Sequence, residues 1–157
     1  MELQQIIKSQ YFAALEMLKL VIVQCPEASW DAPGDTDPSW RKAYHALYYA
    51  HLYLQPNRQA FIAWEKHHDP DNGPAFSQAE VLEYLAFVQT QVRVQLADLG
   101  PQAPSGFDWL PFTKLELQFY NIRHIQQHAG ELYERIGTRA NIELDWVSKT
   151  PDYLRSE

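Results

Sequence analysis

A chain of 157 residues with 46% apolar and 21% charged residues has the size and composition of one globular domain, which excludes an intrinsically disordered protein. Its formal net charge of −7, with no run of Lys or Arg, argues against nucleic acid as a partner, because binding a phosphate backbone needs clustered cations. The lone cysteine, Cys25, excludes an internal disulfide and suits a reducing cytoplasm; the start MELQQIIKSQ lacks the pattern of a signal peptide, and no apolar run suggests a membrane span.

Prolines at 26, 33, 38, 56, 70, 74, 101, 104, 111 and 151 divide the chain. Proline inside a helix costs roughly 3 kcal/mol, so helices are confined to the proline-free stretches 1–25, 39–55, 75–100 and 112–150. In the first, Ile7, Tyr11, Ala14, Leu18, Val21 and Cys25 recur at spacings of four and three, forming one apolar seam. Cys25 lies in that seam and reads as an inert packed thiol. The second stretch opens on Asp37-Pro38-Ser39-Trp40, read as an N-cap followed by proline at the first helical position, and it ends at Pro56. Residues 58–66 suggest a short helix, and HHDPDNGP after them reads as loop.

The third and fourth stretches carry stronger start signals. Ser77 with Glu80 forms a capping box, with Phe76 and Val81 as a hydrophobic staple; Thr113 with Glu116 repeats the device, with Phe112 and Leu117. Gly100-Pro101 is the predicted stop of the third helix and Gly137 that of the fourth. In the loop 101–111, Phe107 and Trp109 are expected to be pinned on the helices. After Gly137, Trp146 and Val147 are expected to pack back onto the core. Four long helices with medium connections predict an all-α, single-domain four-helix bundle spanning 1–157.

Among six histidines, His124 and His128 stand four apart on the fourth helix, so both imidazoles project from one side, one turn apart. Two ring nitrogens so placed can reach one metal ion at about 2.0–2.1 Å, and a histidine from another helix would leave coordination positions open for water or substrate. His45, in the middle of the second helix, is the natural third ligand, with His51 in reserve. His51 otherwise reads as a packed residue with a hydrogen-bonded tip. His67 and His68 read as solvated loop residues. At about 100° per residue the apolar stripe of the fourth helix centres on Ile122, Ala129, Tyr133 and Ile136. His124 and His128 then lie about 120° away. They share that side with Leu117, Tyr120, Asn121, Glu131 and Arg135. Glu131 has three readings: acceptor of a ligand histidine's second ring proton, fourth metal ligand, or a surface carboxylate paired with Arg135; the last is the simplest. Unprotonated histidines would make metal binding weaken as pH falls towards about 6.5. No Gly-rich phosphate loop, GxSxG elbow or HExxH is present.

The segments SWRKAYHALYYAHLYL (39–54) and LELQFYNIRHIQQHAGELYERI (115–136) resemble the second and fourth helices of the DinB-like, or YfiT-like, superfamily of metal-dependent hydrolase-type proteins. His45 in AYHALYY matches the family's second-helix ligand, and His124 and His128 in NIRHIQQH match its last-helix pair. The resemblance implies an up-down-down-up four-helix bundle, often a homodimer, with a divalent metal (zinc, nickel, iron or manganese) on His45, His124 and His128. It further implies a thiol-dependent S-transferase or hydrolase-like enzyme, with a small-molecule substrate and a low-molecular-weight thiol as cofactor. The alternative is a non-catalytic metal-binding or stress-response interaction module. Nothing in the resemblance assigns a role to residues 57–74 or 138–157.

Overall fold

The computed structural model describes residues 2–155. Among them every regular element is helical: α1 (Leu3–Gln24), a one-turn α2 (Glu27–Trp30), α3 (Ser39–Leu54), α4 (Gln78–Gln95), α5 (Lys114–Ala140) and a terminal 3₁₀ turn at Asp152–Leu154. A single antiparallel bridge, Pro104 with Thr113, is the sole β-type pairing among the described residues. No helix among them is long and apolar enough to cross a membrane.

Each long helix packs on two others. α1 and α3 both lie against α4 and α5. The α1 seam is buried throughout, from Ile7 to Cys25. The side chain of Gln78, at the start of α4, donates to the Ile22 and Cys25 carbonyls at the end of α1. Lys114, at the start of α5, donates to the Gln55 and Pro56 carbonyls that end α3. Further along, Tyr11 donates to Gln118 and Gln126 reaches Met17, while His51 meets Tyr84 and Gln55 donates to Gln91.

The helix ends show where local signals were decisive. Ser77 and Glu80 form the full reciprocal capping box. Thr113 accepts from the Glu116 N–H, without the return bond from the Glu116 carboxylate. Asp37 is not a cap: extended Pro38 occupies that position, and Asp37 spends its carboxylate on Lys42. α4 stops at Gln95, short of Gly100, because the chain tightens after Leu96, with the Ala97 N–H bonding back to the Val94 carbonyl. α5 runs through Gly137 and ends at Asn141, whose left-handed backbone (φ 54°) lets its N–H return to the Gly137 carbonyl. Asn supplies the stop expected of Gly.

Residues 58–66 form turns rather than a helix. The Asn57 side chain captures the Ala60 N–H, and Phe61 and Trp64 diverge, Phe61 onto Tyr48 and His51, Trp64 onto Tyr84. Phe107 is buried, whereas Trp109 only leans on it and stays half exposed. In the tail Val147 packs on the core together with Ile142 and Leu144, but Trp146 is exposed.

Candidate metal centre

The rotation of α5 decides where its histidines point. Its buried line runs Leu117, Gln118, Asn121, Ile125, Ala129, Leu132 and Ile136. The stripe is therefore centred near Ile125, rotated towards the histidines from the position the periodicity suggested. At about 100° per residue, His128 and His124 flank that line by about 60° and 100°. Asn121 fixes the rotation. Fully buried, it donates to the Tyr11 hydroxyl and the Ala50 carbonyl, tying α5 to α1 and α3 at once, one turn before His124. A simple hydropathy count misses this, because it scores Asn as a surface residue.

With α5 so held, His45, His124 and His128 converge. Each offers a ring nitrogen, and the three lie within 4.8 Å of one another. His124 Nε2 is 3.3 Å from His45 Nε2 and 3.1 Å from His128 Nε2. Two nitrogens bound to one ion at about 2.0–2.1 Å stand ~2.9 Å apart at a right angle and ~3.4 Å apart at the tetrahedral angle. The observed separations fall between these values.

Glu131 sets the state of His128. Its Oε2 lies 2.9 Å from His128 Nδ1 and 2.7 Å from Lys42 Nζ, and Lys42 also pairs with Asp37 at 2.7 Å. Burial works against its charge, but the bonds from Lys42, His128 and Gln127 prevail and hold the carboxyl down at about 2. A carboxylate can only accept, so His128 Nδ1 carries a proton and its Nε2 is the nitrogen that faces the other two rings. The surface pairing of Glu131 with Arg135 is not made. Arg135 turns instead to the Asp37 carbonyl, Ser39 and Asp35.

Burial, reinforced by the neighbouring His128, lowers the pKa of His45 and brings that of His124 to about 4. Both shifts favour the neutral ring, so proton competition at these two moves below the ordinary imidazole range. His124 Nδ1 is buried without a hydrogen-bond partner. The ring nitrogens that meet at His124 Nε2 are paired only with one another, an arrangement that suits a cation between them.

His51 does not join them. It is buried among Phe61, Tyr84 and Phe87, with Nδ1 3.2 Å from the Tyr84 hydroxyl. His67 and His68 are part-buried against aromatic rings rather than freely solvated. His68 stacks on Phe76, and His67 Nδ1 lies 2.5 Å from the buried Tyr44 hydroxyl. His67 faces His45 and His128 across an open cleft of about 500 Å³ walled by α3 and the 67–71 segment. The sequence reading missed Lys42, Tyr48, Tyr49 and His67 as neighbours of the site. Tyr48 and Tyr49 lie four residues after Tyr44 and His45, a helical repeat that was available as a signal. No family model, curated protein or solved structure matches the chain.

Proposed function

We propose that the chain is a DinB-like four-helix bundle in up-down-down-up order, binding a divalent metal ion through His45, His124 and His128. The helix order is supported by the contacts between ends. The end of α1 meets the start of α4, and the end of α3 meets the start of α5, as antiparallel pairs do. Tyr11 with Gln118 and Met17 with Gln126 advance together along α1 and α5, and His51 with Tyr84 and Gln55 with Gln91 do so along α3 and α4, as parallel pairs do.

The metal reading is carried by one observation, the convergence of three histidine nitrogens from two helices at 3.1–3.3 Å across His124. Zinc, nickel, iron or manganese suits imidazole donors. An adjoining cleft, in place of a fourth protein ligand and packed side chains, favours an enzyme over a structural site. We read the activity as that of a metal-dependent transferase or hydrolase. When bound, the ion would act as a Lewis acid, lowering the pKa of a water or a low-molecular-weight thiol so that a nucleophile exists at neutral pH. For its part, the protein holds three imidazoles in place, orients His128 through Glu131, and leaves one side open.

The test is elemental analysis of tag-free protein, stripped and reloaded with each of the four metals. Near-stoichiometric uptake that His124→Ala abolishes is the expected result; no uptake of any metal ends the reading. Uptake without turnover in a panel of thiols and electrophiles would instead support a non-catalytic metal-binding or stress-response module.

A further inference from the structure

The cations that line the cleft beside the triad are both paired, and carboxylates outnumber them. Arg41 pairs with Asp71, and Lys42 lies between Asp37 and Glu131. The carboxylate of Asp69 accepts from the Asp71 N–H and the Asn72 side chain within its own turn. Neutral groups are left with capacity to spare. The hydroxyls of Tyr48 and Tyr49, both half-buried residues of the cleft wall, make no hydrogen bond within the protein and are not sealed from solvent.

His67 completes the set from the opposite wall. The phenol of Tyr44 is a better donor than an imidazole N–H, so it donates to His67 Nδ1 and leaves the proton of the neutral ring on Nε2. That Nε2–H has no acceptor among the described residues. Aromatic rings follow one another in contact between the two walls, tilted or edge-on to their neighbours. His45 lies 4.8 Å from Tyr49, Tyr49 5.6 Å from Tyr48, and Tyr48 5.3 Å from His67, measured between ring centroids. With both cations paired and carboxylates in excess, an anionic body is disfavoured and a cationic one meets carboxylates already engaged, whereas aromatic rings and unused neutral donors gain from a flat polar one.

Resting on the metal reading above, we propose that this cleft binds the body of the substrate, an uncharged planar or aromatic group with hydrogen-bonding substituents, held against Tyr48, Tyr49 and His67 while an anionic metal-seeking head reaches the triad. Such a molecule carries its charge at one end only.

Hydroxamates separate the two parts. Acetohydroxamate has the metal-seeking head alone, benzohydroxamate adds the ring, and 4-carboxybenzohydroxamate adds a charge to the ring. On the zinc-loaded full chain, calorimetry should give benzohydroxamate about a tenfold advantage over acetohydroxamate, mostly lost with the carboxylate. Tyr48→Leu and His67→Gln should reduce that ratio towards one without changing zinc stoichiometry. The comparison of ligands on the unaltered chain stands even if a variant fails to fold. Zinc uptake with no preference for the ring, or a preference unchanged in both folded variants, overturns the subsite and leaves the metal reading intact. If the protein takes up another metal but not zinc, the same hydroxamates are compared on that form. If it takes up none of the four metals, the metal reading fails and the subsite is judged with benzamide, which has the ring and no metal-seeking head. NMR shift changes centred on His67 and Tyr48 would then support it, and their absence would overturn it.

Discussion

Glu131 is the residue through which the site is coupled to its surroundings. Its carboxylate receives the His128 ring proton and the Lys42 ammonium, and Lys42 in turn reaches Asp37 before α3. Replacing it by Gln keeps the shape but removes the charge that holds the Nδ1 proton in place and raises the basicity of Nε2. Glu131→Gln should weaken metal binding about 10–100-fold, as losing a carboxylate behind a ligand histidine does. Competition with a chromophoric chelator would measure it, and an unchanged affinity would show that His128 needs no such support. His51 governs a different property. Burial lowers its pKa to about 4, against about 6.5 in the unfolded chain. Between those values the unfolded state binds the extra proton, so stability falls as the pH drops from about 6.5 and the loss is complete below about 4. At the acid end His51 accounts for a loss on the order of 3 kcal/mol. The denaturation midpoint of the metal-free chain should decline across that window, and His51→Asn should flatten the decline even though it lowers stability at neutral pH.

At the scale of elements, residues that act within one turn were the most legible. Ser77 and Glu80 stand three apart and need only each other, so the start of α4 could be read directly from the sequence, and so could the α1 seam. Ends that depend on distant partners were not legible. Asp37 was drawn away by Lys42, and the 58–66 segment gave up helical bonds so that Phe61 and Trp64 could reach separate parts of the core. The histidine pair on α5 was evident from spacing, but its orientation depends on buried Asn121, whose partners lie 71 and 110 residues away. The connection into α5 hides another such dependence. Gly106 has φ +87°, and a Cβ there would collide with the Pro56 carbonyl, the same oxygen that accepts from Lys114. Gly106→Ala should therefore cost more than about 2 kcal/mol, combining backbone strain with a displaced carbonyl. Ser77→Ala should cost about 1 kcal/mol, the usual effect of removing a cap. Urea denaturation of both variants tests the order, and a milder effect at Gly106 than at Ser77 would contradict this account of the loop.

For the molecule as a whole, the triad joins α3 to α5, helices already tied by Lys114 at one end and Arg135 at the other. An ion held on both helices is a further fastening, formed only in the folded state, because unfolding separates His45 from His124 by 79 residues of chain. Binding that favours the folded state adds RT ln(1 + [L]/Kd), about 2.7 kcal/mol when free metal stands at 100 times Kd. For a chain of this length each kcal/mol moves the midpoint by about 2–4 °C, so zinc should raise Tm by about 5–11 °C. The shift should grow with the logarithm of zinc concentration and disappear in His124→Ala. Glu131→Gln should keep a smaller shift at the same zinc concentration, since weaker binding subtracts from the logarithm without removing the site. Equal shifts in all three proteins would mean that zinc acts elsewhere on the chain, because only a shared site makes the size of the shift follow the order of the ligands' losses.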